Sequence, residues 1–158
     1  MTSASGRGSD EDLTTVRVDQ FLPHPPAKVW RALTEPDLIA QWLMPSDFRL
    51  EVGHRYTMTS LPRPNTGYSG TTAGEVLAYE TGRMLSVRWR DAAAAPDAGG
   101  ADWTITWTLE PEGRGTRLFL LHEGFDPDDP AQMTARTVMG GGWRSHVMDA
   151  LRAVLERT

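Results

Sequence analysis

The sequence predicts one α+β domain: a run of about six antiparallel strands, two short helices near the start, and one long helix at the carboxyl end. Three observations predict it. Between residues 13 and 125, strand-favouring stretches follow one another with little between them but turn signals. The two helical stretches near the amino end stand together instead of alternating with strands. Residues 143–157 repeat apolar side chains at helical spacing. Turn-linked strands pair antiparallel, and segregated helices exclude a wound βαβ sheet.

Taken in order, residues 1–12, MTSASGRGSDED, are polar and lack the apolar core of a signal peptide, so they read as a disordered tail. A single domain then covers 13–157. Residues 13–22, LTTVRVDQFL, are rich in β-formers and predict the first strand. PHPP ends it, because proline cannot serve a central ladder. Pro26 suits the first turn of a helix, and Val29, Trp30 and Leu33 follow at helical spacing. A second short helix is expected from Thr34 as N-cap, with Leu38, Ile39 and Trp42 as its apolar face. Strands are then expected over 48–51, 54–61, 68–80 and 83–90, with Gly53 and the pair Thr81-Gly82 as turns. Residues 91–102 read as a low-complexity loop. WTITWTLEP alternates strictly, placing Trp103, Ile105, Trp107 and Leu109 on one face and three threonines on the other. EGRG turns the chain into TRLFLLHEGF, and DPDDPAQ starts the final helical region.

Composition bounds the function. The chain has 158 residues, a net charge of −5 and scattered basic residues, fifteen of them arginine beside the single Lys28. That excludes a clustered basic footprint for nucleic acid. The absence of cysteine excludes disulfides, a thiol nucleophile and cysteine-ligated zinc. No apolar run reaches the length of about 18 residues that a membrane span needs. A cytoplasmic protein is expected, with no membrane partner, and its arginine-, alanine- and glycine-rich composition suits a GC-rich genome. His24, His54, His122 and His146 form no close pair or H-E-x-x-H, and His146 with Asp149 is too small a set for a metal site. No nucleophile elbow, phosphate loop or dinucleotide fingerprint is present, so no cofactor is expected. Asp126, Asp128 and Asp129 read as charges favourably placed before a helix.

The final helix poses a question. Gly140, Gly141 and Gly142 stand directly before Trp143, although each interior glycine weakens a helix by about 1 kcal/mol against alanine. Either the helix kinks or restarts there, or the missing side chains leave space between helix and sheet. From Trp143 onward the expected buried stripe is Trp143, Val147, Ala150, Leu151 and Val154, with Met148 and Leu155 at its edge. Six tryptophans and seven methionines are many for this length. Trp42, Met44, Met58, Trp89, Trp107, Met139 and Trp143 could line one adaptable apolar space or simply fill a core.

Four blocks in order carry a resemblance: FLPHPPAKVWRALTEPDLIAQWLMP, GTTAGEVLAYETGRMLSVRW, WTLEPEGRGTRLFLLHEGF and GGGWRSHVMDALRAVLE. Over about 13–157 they resemble the START-like, or SRPBCC, superfamily. Within it the similarity is to the AHSA-type branch, homologous to the activator of the 90-kilodalton heat-shock chaperone ATPase. The resemblance implies a helix-grip fold, a curved sheet of six or seven strands wrapped around the long last helix, with a cavity between them. Bacterial single-domain members of the branch mostly have no known role. Two departures stand out: EVGHRY carries one glycine where many relatives have two, and the separate amino-terminal domain of the chaperone activators has no room here.

On that resemblance a small hydrophobic or aromatic molecule is the expected partner. The expected cavity residues are the seven aromatic and methionine positions above, joined by Tyr56, His122 and Val147. If Leu118 and Leu120 face inward, so does His122, where it could anchor a ligand or exchange a proton. Two other readings stay open. One is a polyketide cyclase or aromatase-like enzyme, with His122, Tyr56 and Arg88 as acid–base candidates. The other is a chaperone-associated module with its patch on the 61–70 and 91–102 loops. Exposed edge strands also leave a homodimer open.

Overall fold

The computed structural model describes residues 12–59, 70–92 and 102–158. The expectations for the tail, for most of the 61–70 loop and for most of the 91–102 loop therefore lie outside the described residues. Six strands form one curved antiparallel sheet: β1 (Thr15–Leu22), β2 (Arg55–Thr59), β3 (Thr71–Glu80), β4 (Met84–Asp91), β5 (Asp102–Glu112) and β6 (Gly115–Glu123). Their order is β1-β6-β5-β4-β3-β2, so β2 to β6 form a meander and the first strand closes on the last. Residues 48–51 are not a strand; the stretch before β2 contributes only an isolated bridge, Ser46 to Met58.

Helices α1 (Pro26–Thr34) and α2 (Pro36–Trp42) follow β1, each with proline in its first turn, where a missing N–H breaks no hydrogen bond. The N-cap of α2 is Glu35, not Thr34, whose hydroxyl instead donates to the Trp30 carbonyl at 2.8 Å. The two short helices are tied by Trp42, whose buried indole N–H donates to the carbonyl of Ala32 at 2.7 Å. Ala32 lies in the last turn of α1, so the bond satisfies a carbonyl with no partner inside its own helix.

The strict alternation read from β5 holds: Trp103, Ile105, Trp107 and Leu109 are all buried. Register then builds rows across the inner face. One row runs Val18, Leu120, Trp107, Leu85, Tyr79; the next runs Val16, His122, Ile105, Val87, Val76; a third runs Trp103, Trp89, Gly74, Tyr56. A bulge between Val76 and Ala78 leaves Leu77 exposed and brings Tyr79 back inward onto Trp30. Gly74 is required, because a Cβ there would enter the ring of Tyr56, which lies across it.

Both outer strands are engaged by the chain itself. Along β1, Arg136 Nε donates to the Thr15 carbonyl at 3.0 Å and Arg144 Nη2 to the Arg17 carbonyl at 3.4 Å. Along β2, the Thr57 N–H donates to the Asp47 carboxylate at 2.7 Å and the Thr59 N–H to the Pro45 carbonyl at 3.3 Å. Edge groups that would pair with a second copy are occupied at these positions, which narrows the edge-strand route to a homodimer.

The carboxyl-terminal helix neither breaks nor restarts at the glycines. It runs as α3 (Pro130–Gly142), a π turn (Trp143–Val147) and α4 (Met148–Arg157) without interruption. Asp129 caps it, its carboxylate accepting from the Ala131 N–H at 2.9 Å. The π turn inserts one residue into the helical count. The buried stripe is consequently Trp143, Met148, Leu151, Val154 and Leu155, while Val147 and Ala150 are only half-buried. Leu151 and Val154 are buried as expected, while Met148 and Leu155, expected at the edge, join them in place of Val147 and Ala150.

Candidate functional site

His122 is the polar interruption of an otherwise aliphatic row, between Val16 and Ile105, and it is 0% exposed. Alternation along β6 points it to the inner face with Leu118 and Leu120, as the sequence requires. The helix meets it there. Trp143, first residue of the π turn, donates its indole N–H to Nδ1 of His122 at 3.0 Å. The imidazole packs on Phe125 at 4.5 Å and on Trp103 at 4.8 Å between ring centroids. Burial pulls its pKa down to about 3, so the ring is neutral at physiological pH. Its other nitrogen, Nε2, is buried and has no hydrogen-bond partner.

The aromatic layer continues across the sheet–helix interface. Trp143 meets Trp107 edge-on at 6.2 Å and Trp89 at 6.3 Å, and Trp107 meets Trp42 edge-on at 6.4 Å. Such edge-to-face pairs stabilise by about 0.5–1.5 kcal/mol each beyond area burial. The indole N–H of Trp107, like Nε2 of His122, is buried without a partner.

The expected cavity residues fall into three groups. Trp42, Tyr56, Met58 and Trp107 surround one space together with Leu33, Ile39, Leu43, Phe48, Leu85 and Val87. Its free volume is about 10 Å³, at the lower limit for holding one water molecule. Trp89, His122 and Trp143 form the aromatic cluster, which shares Trp107 with that space. Met44, Met139 and Val147 pack as half-buried side chains at the margin of the core. Among the described residues, the space these side chains surround is too small for more than one water molecule.

Sequence reasoning missed Trp103 and Phe125 against His122, and Gln132 bonded to Trp103. Trp103 was legible from the alternation of β5; the other two were not. Gln132 Oε1 accepts from the Trp103 indole at 3.3 Å and from the Asp126 N–H at 2.8 Å, fastening the segment after β6 to the helix start. A glutamine in the first turn of a helix carries no sequence signal for that role.

The three acid–base candidates do not converge. Arg88 alternates to the opposite face of β4, half-exposed, in a bidentate pair with Asp102 at 2.8 Å. Tyr56 shares the inner face with His122 but lies against Phe48 on the edge strand β2, with β3, β4 and β5 between it and β6, and burial pushes its hydroxyl pKa well above the usual tyrosine value. Among the described residues no group of histidines and carboxylates is placed to hold a metal, and no helix is long and apolar enough to cross a membrane. Leu13, Phe21, Val52, Leu77 and Val138 are the exposed large apolar side chains among the described residues, dispersed over the turn before β1, β1, the turn before β2, β3 and α3.

Comparison with known proteins then supplies a family. The family model described as "Activator of Hsp90 ATPase homolog 1-like protein" matches residues 23–156. The crystal structure of protein MLL2253 from Mesorhizobium loti is 38% identical with a TM-score of 0.78, over 91% of this chain and 98% of that one. Protein CV1439 from Chromobacterium violaceum is 26% identical with a TM-score of 0.68, over 90% of this chain and 97% of that one. DynU16, a protein of the dynemicin biosynthetic locus, shares the fold at 24% identity and a TM-score of 0.71, over 92% of this chain and 48% of that one. No curated protein matches.

Proposed function

The chain belongs to the family of Activator of Hsp90 ATPase homolog 1-like proteins, and we propose that it binds a small apolar or aromatic molecule between the sheet and the carboxyl-terminal helix. The observation that carries the proposal is the pair of buried ring N–H groups without partners in that layer, on Trp107 and His122. An unsatisfied buried donor destabilises a protein by about 1–3 kcal/mol, and few are retained in natural folds. An aliphatic side chain at 122 would continue its row at lower cost. A ligand that enters the layer and accepts from these donors accounts for their retention.

Entry requires the described space of about 10 Å³ to widen, since pockets for such molecules measure about 300–1,000 Å³. The three glycines before Trp143 weaken the helix beside that space. Gly141 and Gly142 have no atom within 4 Å of where a Cβ would stand, and the π turn follows at once. A ligand of roughly 20 heavy atoms at about 0.3 kcal/mol each gives a Kd of tens of micromolar.

The test is a thermal-shift screen of the full chain against a panel of aromatic ketones, phenols and hydrocarbons. At ten times its Kd, a ligand adds about 1.4 kcal/mol, a rise of about 3–6 °C for a domain of this size. Trp143→Phe, which keeps a ring but loses the indole N–H that orients His122, should reduce the shift. A panel that leaves the midpoint of the unaltered chain unmoved overturns the binding reading.

A further inference from the structure

We propose that the bound molecule is a hydrogen-bond acceptor, a planar aromatic compound whose carbonyl or ether oxygen is received by the Nε2–H of His122, and that compounds presenting an N–H or ammonium there are rejected. The inference rests on the binding reading above and adds the chemical class of the ligand.

It follows from which nitrogen carries the proton. An indole N–H can only donate. Trp143 donates to Nδ1 of His122 at 3.0 Å, so Nδ1 must present its lone pair. A neutral imidazole carries one proton, which is thereby placed on Nε2. Nε2–H is then a donor whose tautomer is set by the protein, in a ring that is 0% exposed and has no partner at that atom.

The neighbours cannot serve it. Phe125 has no polar side-chain atom, and Trp103 is itself a donor, spent on Gln132. Gln132 Oε1 already accepts two hydrogen bonds, from Trp103 and from the Asp126 backbone, which uses both of its lone pairs. The second unpartnered ring atom of the layer, Trp107 Nε1, is again a donor, and Trp107 pairs with Leu120, next along the inner face of β6 from His122. Two donors facing an aromatic layer complement an oxygen acceptor. A ligand N–H at the same place would set donor against donor and bury both unpaired, the arrangement by which sites discriminate most strongly. Burial also keeps the imidazole from charging near neutral pH, so the donor stays a neutral N–H over that range.

The experiment compares two probes of the same ring system, 9-fluorenone and fluorene, which differ by a carbonyl in place of a methylene. Titrated into the full chain with tryptophan fluorescence as readout, fluorenone should bind about 5–10-fold more tightly, the fold-change of one net hydrogen bond. His122→Phe should bring the two within about twofold, since a phenyl ring fills the site without the donor. Equal affinities in the unaltered chain overturn the acceptor inference and leave the binding reading standing. Binding of neither probe, with no hit in the thermal-shift panel, overturns the reading beneath it. A second measurement needs no variant: a long-range proton–nitrogen NMR spectrum of the His122 ring at about pH 5 to 8. A protonated Nε2 beside an unprotonated Nδ1 is expected; a protonated Nδ1 overturns the inference directly.

Discussion

Consider His122→Asn, compared with the unaltered chain across pH. An asparagine side-chain oxygen can take the place of Nδ1 as acceptor for Trp143, but it does not titrate. In the folded protein burial holds the imidazole pKa at about 3, against 6.5 for an unperturbed histidine. The unfolded chain therefore takes up a proton near pH 6.5 that the folded chain refuses. Stability from the neutral buried ring is fully present above the unfolded pKa and is lost as the pH falls toward the folded one. At pH 5, about 1.5 units below the unfolded value, the loss is about 2 kcal/mol at 1.36 kcal/mol per unit. That is a large part of the roughly 5–15 kcal/mol that holds a domain folded. Urea unfolding at pH 8 and pH 5 reads it as a shift in midpoint. His24, whose pKa is lowered by partial burial and by Lys28, has the same sign of effect. It remains in both proteins, as do the carboxylates, and cancels in the difference. The unaltered chain should lose about 2 kcal/mol more than the asparagine variant between the two pH values. Equal losses would refute the buried neutral imidazole.

Two further outcomes follow from the helix. If the π turn sets the buried stripe, Met148→Ala, at a site 1% exposed, should cost about 2–5 kcal/mol in urea unfolding, and half-buried Val147→Ala clearly less; the reverse order would restore an uninterrupted α-helical count. Gly141→Ala and Gly142→Ala place a methyl where no atom lies within 4 Å, so each should stabilise by about 0.5–1 kcal/mol and raise Tm by about 1–4 °C. The same pair should weaken binding of any ligand found in the screen, because it stiffens the segment that must move. Unchanged affinity in the stabilised double variant would remove the glycines from the entry route.

Much of the fold was legible because its signals are local. Period two in WTITWTLEP set the inner face of β5, prolines placed the starts of α1 and α2, and glycine turns separated the later strands. The inward direction of His122 followed from its two-residue steps from Leu118 and Leu120. Three features escaped. Residues 48–51 look like a strand in composition, but the only β-bridge of the stretch before β2 is the isolated one from Ser46 to Met58. The stripe of the last helix holds at Trp143, Leu151 and Val154 but not at Val147, whose place Met148 takes, because a periodicity argument assumes 3.6 residues per turn throughout and the π turn breaks that count. Gln132, which bonds the Trp103 indole, was invisible because its partners, Trp103 and Asp126, are brought to it only by the sheet and the segment after β6.

The division has a physical basis. Side-chain alternation, helix starts and turns depend on steric and hydrogen-bonding preferences within a few residues, so the sequence by itself determined the element order, the antiparallel meander and the candidates for the core. Whether the tryptophans and methionines enclose a space or fill it depends on side-chain volumes brought together from the sheet and the helices, which no local pattern sets. Which nitrogen of His122 bears the proton depends on Trp143, 21 positions away in the chain and carried to it by a helix whose count changes at that very residue. Only the tertiary structure could bring that donor to that ring.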